Sequence, residues 1–111
     1  MYILDIYMKL PDFRSIEGFD WDKGNLNKNW LKHKVKAGEI EEIFFNEPLL
    51  IAHDENHSEK ETRFAALGTS TDSRKLFAVF TIRNNKIRII SVRDMSKKER
   101  KIYENDQKEN S

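Results

Sequence analysis

Lys86-Ile87-Arg88-Ile89-Ile90-Ser91-Val92-Arg93-Asp94-Met95-Ser96-Lys97-Lys98-Glu99-Arg100 joins an arginine-bearing strand to a basic helix with no slack between them. Apolar and polar side chains mix along Ile87 to Arg93 as they do in a β-strand. Ser96, with Glu99 three residues later, then forms the capping box that opens a helix. Just upstream, Asn84-Asn85 tolerates the positive φ angles of a two-residue hairpin turn, which makes Leu76 to Arg83 and Ile87 to Arg93 antiparallel neighbours. A guanidinium on a strand is costly without an anionic partner, and its fixed fork of donors matches phosphate oxygens. Arginines spaced along a small sheet therefore suit a polyanionic backbone, although solvated or ion-paired arginines are also common on antiparallel strands.

Outward from this hairpin, the spacing predicts two earlier strands, Leu49 to His53 and Thr62 to Gly68, and two earlier helices. The first helix covers Lys23 to Lys34, with Asp22 as N-cap and Leu26, Trp30 and His33 on one face. The second runs from Lys36 to Phe45 with Ala37, Ile40, Ile43 and Phe44 on one stripe. It stops at Asn46-Glu47-Pro48, because proline cannot continue the ladder. The last helix runs from Ser96 to about Asn105. Residues 1–18 alternate in character and end at Pro11 and Gly18, as an extra strand or a loosely attached arm would. Residues 19–105 form the main domain, and 106–111 a polar tail expected to be disordered. The expected class is α+β: an antiparallel sheet of about four strands, two N-terminal helices packed on it, and a short C-terminal helix.

The 111 residues make one domain, with 35% charged and 38% hydrophobic side chains. Net charge is only +1, so affinity for nucleic acid must come from clustering. Ten Lys or Arg side chains fall between Arg74 and Lys101, and Arg63 joins them from the neighbouring strand, whereas Glu39 to Glu61 is mostly acidic. Such a layout suits an anion on one side and a partner on the other. With no cysteine, disulfides, thiolate catalysis and cysteine zinc sites are excluded. The apolar start, Met1 to Met8, lacks a basic lead and is interrupted by Asp5 and Lys9, so neither a signal peptide nor a membrane span is expected. The expected setting is the cytoplasm, with no membrane partner.

A hairpin register set by Asn84-Asn85 pairs Arg83 with Lys86, Thr81 with Arg88, and Leu76 with Arg93. Arg93 is then expected on one face with Leu76, Ala78, Phe80 and Ile82. Pairing the preceding hairpin across the loop from Thr69 to Arg74 adds Leu67, Ala65 and Arg63 to that face. The other face would carry Phe77, Val79, Ile90 and Val92, with Arg83, Lys86 and Arg88 at a basic end that either holds phosphates or stays solvated. His53 and His57 have no cysteine company, and no metal site is expected. His33 follows Lys32 at a helix end whose carbonyls favour a cation, or else packs on Trp30. There is no glycine-rich phosphate loop and no nucleophile elbow, so no cofactor is expected. The chemistry open to Arg, Lys and His without a metal is RNA cleavage through the 2′-hydroxyl. The substrate supplies the nucleophile, and the protein supplies positioning, proton transfer and a cationic clamp.

Several stretches together resemble one family. These are Phe19-Asp20-Trp21-Asp22, Asn29, Lys32-His33-Lys34-Val35, Phe45, Pro48-Leu49, His57-Ser58, Glu61-Thr62-Arg63-Phe64, Gly68, Arg83, Arg88 to Ser96, Glu99-Arg100 and Tyr103. In this order, over about residues 19–104, they resemble the BrnT toxins. The resemblance implies a RelE-like α+β fold, a ribonuclease that arrests growth, and a neighbouring BrnA-like ribbon-helix-helix antitoxin. That antitoxin would neutralise the toxin and link it indirectly to operator DNA. It also implies that Arg63 and Arg93 are the arginines most tied to toxicity and that Lys32 and His33 match the family's Lys-His pair, while Arg83, Arg88 and His57, which lie in the quoted stretches, are the expected RNA contacts. Two positions depart from the pattern: Lys34 stands where the family has glycine closing the first helix, and Lys36 where it has Ser or Thr capping the second. A non-catalytic module that keeps only RNA or antitoxin contacts is the alternative. A DNA-binding regulator is disfavoured, because no helix has a basic face of groove-reading length.

Overall fold

The computed structural model describes residues 2–3, 13–54 and 61–109. One six-stranded sheet runs in the order β1-β3-β4-β5-β6-β2. Its strands are β1 (Tyr2–Ile3), β2 (Gly18–Asp20), β3 (Leu50–His53), β4 (Phe64–Thr69), β5 (Lys75–Arg83) and β6 (Lys86–Asp94). The described residues also hold three α-helices, α1 (Lys23–His33), α2 (Ala37–Ile43) and α3 (Lys97–Glu109), and a short 3-10 turn at Phe13–Ser15. The four central strands form the antiparallel meander expected from the sequence. The short edge strands β1 and β2 each pair in parallel, β1 with β3 and β2 with β6, so the sheet is wider than four strands. Asn84 and Asn85 adopt φ of 51° and 62°, the turn expected of them.

One sheet face packs against the α2 side. Ile51, Phe64, Ala66, Leu76, Ala78, Phe80, Ile87, Ile89 and Val92 join Val35, Ile40, Ile43 and Leu49 in the main core. Gly68 is required there, since a Cβ would lie 2.8 Å from the Cβ of Ile43 and the α2–sheet approach would open. The opposite face is covered at one end by α3, where Leu50, Leu67, Met95 and Tyr103 form a second core with Phe77 against it. The fully buried Tyr103 fixes α3: its hydroxyl donates to the Pro48 carbonyl at 2.7 Å and shares a 2.7 Å hydrogen bond with Thr69 Oγ1.

The helix limits differ from expectation at three ends. Helix α2 closes at Ile43, two residues before Phe45. Helix α3 continues to Glu109, and the first residue of the expected tail, Asp106, is only 8% exposed, because Tyr103 holds this helix on the sheet beyond the point where its polar composition suggested fraying. Lys34 ends α1 with φ 54°, the left-handed position where glycine is the cheap residue, and its N–H donates to the Trp30 carbonyl at 2.9 Å. Trp30 does not pack inward as expected: it is 42% exposed, with the Lys34 ammonium 5.2 Å from its ring centre. Among the described residues no helix is long and apolar enough to cross a membrane.

Candidate nucleic-acid interface

The side on which Arg93 stands is set by a β-bulge. Up to Phe80 the hairpin follows the expected register, with Arg83 opposite Lys86, Thr81 opposite Arg88 and Phe80 opposite Ile89. Beyond it the register shifts by one, so that Val79 faces Ser91, Phe77 faces Arg93 and Leu76 faces Asp94, with Ile90 as the extra residue. The expected Leu76–Arg93 pair is therefore replaced by Phe77–Arg93. Strict alternation from Ile89 would have buried Ser91 and Arg93 and expelled Val92. The bulge lets Val92 enter the core at 1% exposure and turns Arg93 outward.

The β4–β5 register also differs by one from expectation, with Leu67 opposite Phe77 and Ala65 opposite Val79. The two shifts cancel for the pair of interest. By alternation from Phe64, Arg63 stands on the Ala65 side, and its carbonyl accepts the Asp54 N–H at 2.8 Å. Arg63 and Arg93 thus share a face as expected, but Arg83, Lys86 and Arg88 share it too, where two separate faces were expected.

This face has rows. Leu50, Leu67, Phe77 and Arg93 lie side by side under α3, and the next row is Ala52, Ala65, Val79 and Ser91, all half-buried and small. A third row brings Arg63 beside Thr81, Arg88 and Asp20. The result is a shallow trough with a floor of small side chains and a cationic rim at each end. Two rows amount to about 13 Å along the strands, so Arg93 and Arg63 suit different phosphates of one chain rather than a single one.

Each rim is held by carboxylates. The Arg93 guanidinium donates to both oxygens of Glu99, at 2.7 and 2.9 Å, and lies 4.2 Å from the Phe77 ring centre. These hydrogen bonds raise the Arg93 pKa and hold the Glu99 carboxyl below its usual range. Glu99 also accepts the Ser96 N–H at 2.8 Å, so the capping box and the arginine share one carboxylate. Arg88 reaches Asp20 and Asp22 at 3.5 and 3.3 Å, and Arg83 pairs with Glu61 at 2.9 Å.

Lys32 and His33 end α1 away from the trough, on the core side of the sheet, where the helix end is tied to Asp94 of β6. The agent is Arg74, which the sequence marked only as one charge in a cluster. Its guanidinium donates to the carbonyls of His33 and Lys34, at 2.9 and 2.8 Å, and to both oxygens of Asp94, at 2.8 and 3.1 Å. Glu39 of α2 lies 3.4 Å away. The Arg74 hydrogen bond, with lesser help from the charges of Arg100 and His33, holds the Asp94 carboxyl below its ordinary pKa. Nothing local in the sequence signals this role, because its partners come from three separate segments. His57 lies outside the described residues. Among the described residues no three His, Cys, Asp or Glu side chains are grouped to hold a metal ion.

Residues 21–99 match the family model described as ribonuclease toxin, BrnT, of type II toxin-antitoxin system. The fold is similar to the crystal structure of the Brucella abortus ribonuclease toxin BrnT, with a TM-score of 0.53 and 21% identity over 72% of this chain and 97% of that one. No curated protein matches the chain.

Proposed function

Because the chain belongs to the BrnT family of type II ribonuclease toxins, we propose that its basic trough binds RNA and cleaves it through the 2′-hydroxyl without a metal. The observation that carries this reading is that the bulge at Ile90 puts Arg93 on the face that already holds Arg83, Lys86 and Arg88, while the β4–β5 register brings Arg63 to it, above a floor of small side chains. Arg93 and Arg63 clamp successive parts of the backbone, and Arg93 or its neighbours stabilise the charge that develops on the phosphorane. Lys32 and His33, whose helix end Arg74 ties to Asp94 on the core side of the sheet, are the candidates for proton transfer, and would have to reach RNA around the end of β6. Arg83, Arg88 and His57 serve as RNA contacts.

The protein acts in the cytoplasm, where RNA cleavage arrests growth. A BrnA-like ribbon-helix-helix antitoxin lies over the trough and offers carboxylates to the arginines, as Glu99 and Glu61 already do within the chain. The toxin then reaches operator DNA only through that antitoxin. Contacts of this kind are charge-assisted, and their part of the affinity falls as salt rises.

The test is purified protein incubated with a structured RNA, with and without EDTA. Cleavage in both, leaving 2′,3′-cyclic phosphate ends, is expected. Loss on chelation and recovery with a divalent ion would make it a metal nuclease instead. One observation favours a second reading, a binding module without turnover: Arg83, Arg88 and Arg93 are all engaged by carboxylates of the same chain. RNA binding without cleavage would select it.

A further inference from the structure

On the core side of the sheet, at the β2 edge, a cavity of about 390 Å³ opens between the segment entering β2 and the turn that follows α2. Ile16, Phe19, Phe44, Phe45, Leu49 and Ile87 supply its apolar wall. Phe45 is 79% exposed, the most exposed large apolar side chain among the described residues, yet it is not loosely placed. Its N–H donates to the Glu42 carbonyl at 3.0 Å, its ring meets Phe19 edge-on at 6.3 Å between centres, and the next residue, Asn46, is tied to the Thr69 carbonyl at 2.9 Å. Two exposed carboxylates, Glu17 and Glu47, border the cavity. A rigid aromatic beside an apolar hollow with an acidic rim has the make-up of an interface anchor rather than of a solvated surface.

We propose that this cavity is a second docking point for the antitoxin, taking an apolar side chain from a segment that carries Lys or Arg beside it. The assignment rests on the reading of the chain as a toxin with a protein antitoxin. The occupant follows from charge. The trough calls for carboxylates, and this rim calls for cations, so one partner must present both signs to cover both places. The two places also lie on opposite faces of the sheet: Ile87 and Phe19 face the cavity, while their neighbours Arg88 and Asp20 face the trough. A partner that wraps the β2 edge reaches both. Screening weakens only the ionic contacts, so the apolar anchor accounts for the affinity that survives high salt.

The experiment measures binding of the antitoxin encoded beside the toxin by titration calorimetry at about 0.1 and 1 M salt. Wild type is compared with Phe45→Ser and with the rim reversal Glu17→Lys/Glu47→Lys, while RNA cleavage by each free toxin is followed in parallel. Phe45→Ser is expected to weaken binding at least tenfold at both salt concentrations. The rim reversal should weaken it mainly at low salt, and cleavage by the free toxin should be unchanged in both variants. Because the rim carboxylates are exposed, the reversal still reports if Phe45→Ser folds poorly. Unchanged affinity in the rim reversal at low salt, or in folded Phe45→Ser, overturns the proposal. So does a wild-type chain that self-associates in the absence of antitoxin and is made monomeric by Phe45→Ser. Failure of the wild type to cleave RNA would instead count against the ribonuclease reading and leave the docking result to be judged by its own titration.

Discussion

Arg93 and Glu99 meet fork to fork, Nη1 to Oε1 at 2.7 Å and Nη2 to Oε2 at 2.9 Å, and the same Oε1 receives the Ser96 N–H at 2.8 Å. One carboxylate therefore caps the start of α3 and aims the Arg93 guanidinium of the trough. Glu99→Gln keeps an acceptor for Ser96 but removes the ion pair. With Arg93 40% exposed the pair is screened, so the expected loss is about 0.5–1 kcal/mol in urea unfolding. The released guanidinium should raise RNA affinity severalfold. A fall in affinity, as for Arg93→Ala, would make Glu99 itself an RNA contact.

The pH dependence follows from the same groups. Glu99 and Asp94 have carboxyl pKa values lowered by hydrogen bonds from Arg93 and Arg74. A carboxyl whose folded pKa is depressed adds stability that is fully present above its unfolded value, about 4.3 for Glu and 3.9 for Asp, and lost as pH falls through the folded value. For these two groups, thermal scans should show no change between pH 7 and 5 and a decline below about 4.3. Glu99→Gln/Asp94→Asn should start lower and decline less. Parallel curves for the two proteins would exclude this linkage.

Arg63→Ala and Arg93→Ala should each abolish growth arrest, losing ~2–4 kcal/mol of transition-state stabilisation, with lysine restoring only part. Since the two stand about 13 Å apart along the strands, the losses should add in the double variant. Cleavage rates of the four proteins decide this, with helix content by circular dichroism checking that α3 stays in place when Arg93 is removed. Full toxicity of both alanine variants at equal expression would remove the trough from the mechanism.

Arg74→Leu leaves Asp94 and the α1 carbonyls without their donor, at a cost of about 2 kcal/mol or more. Arg74→Lys should recover little, because one ammonium cannot span Asp94 and two carbonyls at once. The melting temperature should drop in both variants, and cleavage should fall further than stability if Lys32 and His33 act in proton transfer. A variant as active as wild type would detach α1 from the chemistry.

Lys34→Gly should stabilise the fold by ~1 kcal/mol by relieving a left-handed residue with a side chain. Lys36→Ser should add ~1 kcal/mol. Glu39 already accepts the Lys36 N–H at 3.1 Å, and a hydroxyl at position 36 would supply the missing half of the box. Urea titration of the single variants measures both, and destabilisation by Lys34→Gly would mean that the Lys34–Trp30 contact outweighs the backbone strain.

The local sequence was enough for features that depend on a few adjacent residues: the Asn84-Asn85 turn, the Ser96–Glu99 box, the two N-terminal helices and the antiparallel meander between them and α3. It also marked Arg63 and Arg93 as partners on one face, although by two one-residue register errors that cancelled. Which basic side chains share that face was decided only by the tertiary structure. Period-two alternation cannot place a bulge, because its cost and its benefit depend on what lies on both faces: Val92 had to reach the core and Arg93 had to leave it. One clue was present, since the straight register would have set Arg93 among Leu76, Ala78 and Phe80, a face too apolar for an unpaired charge. Arg74 left no such clue. Its carbonyl and carboxylate partners become neighbours only when α1, α2 and β6 converge, and a role assembled from that convergence is written in no single stretch of the chain.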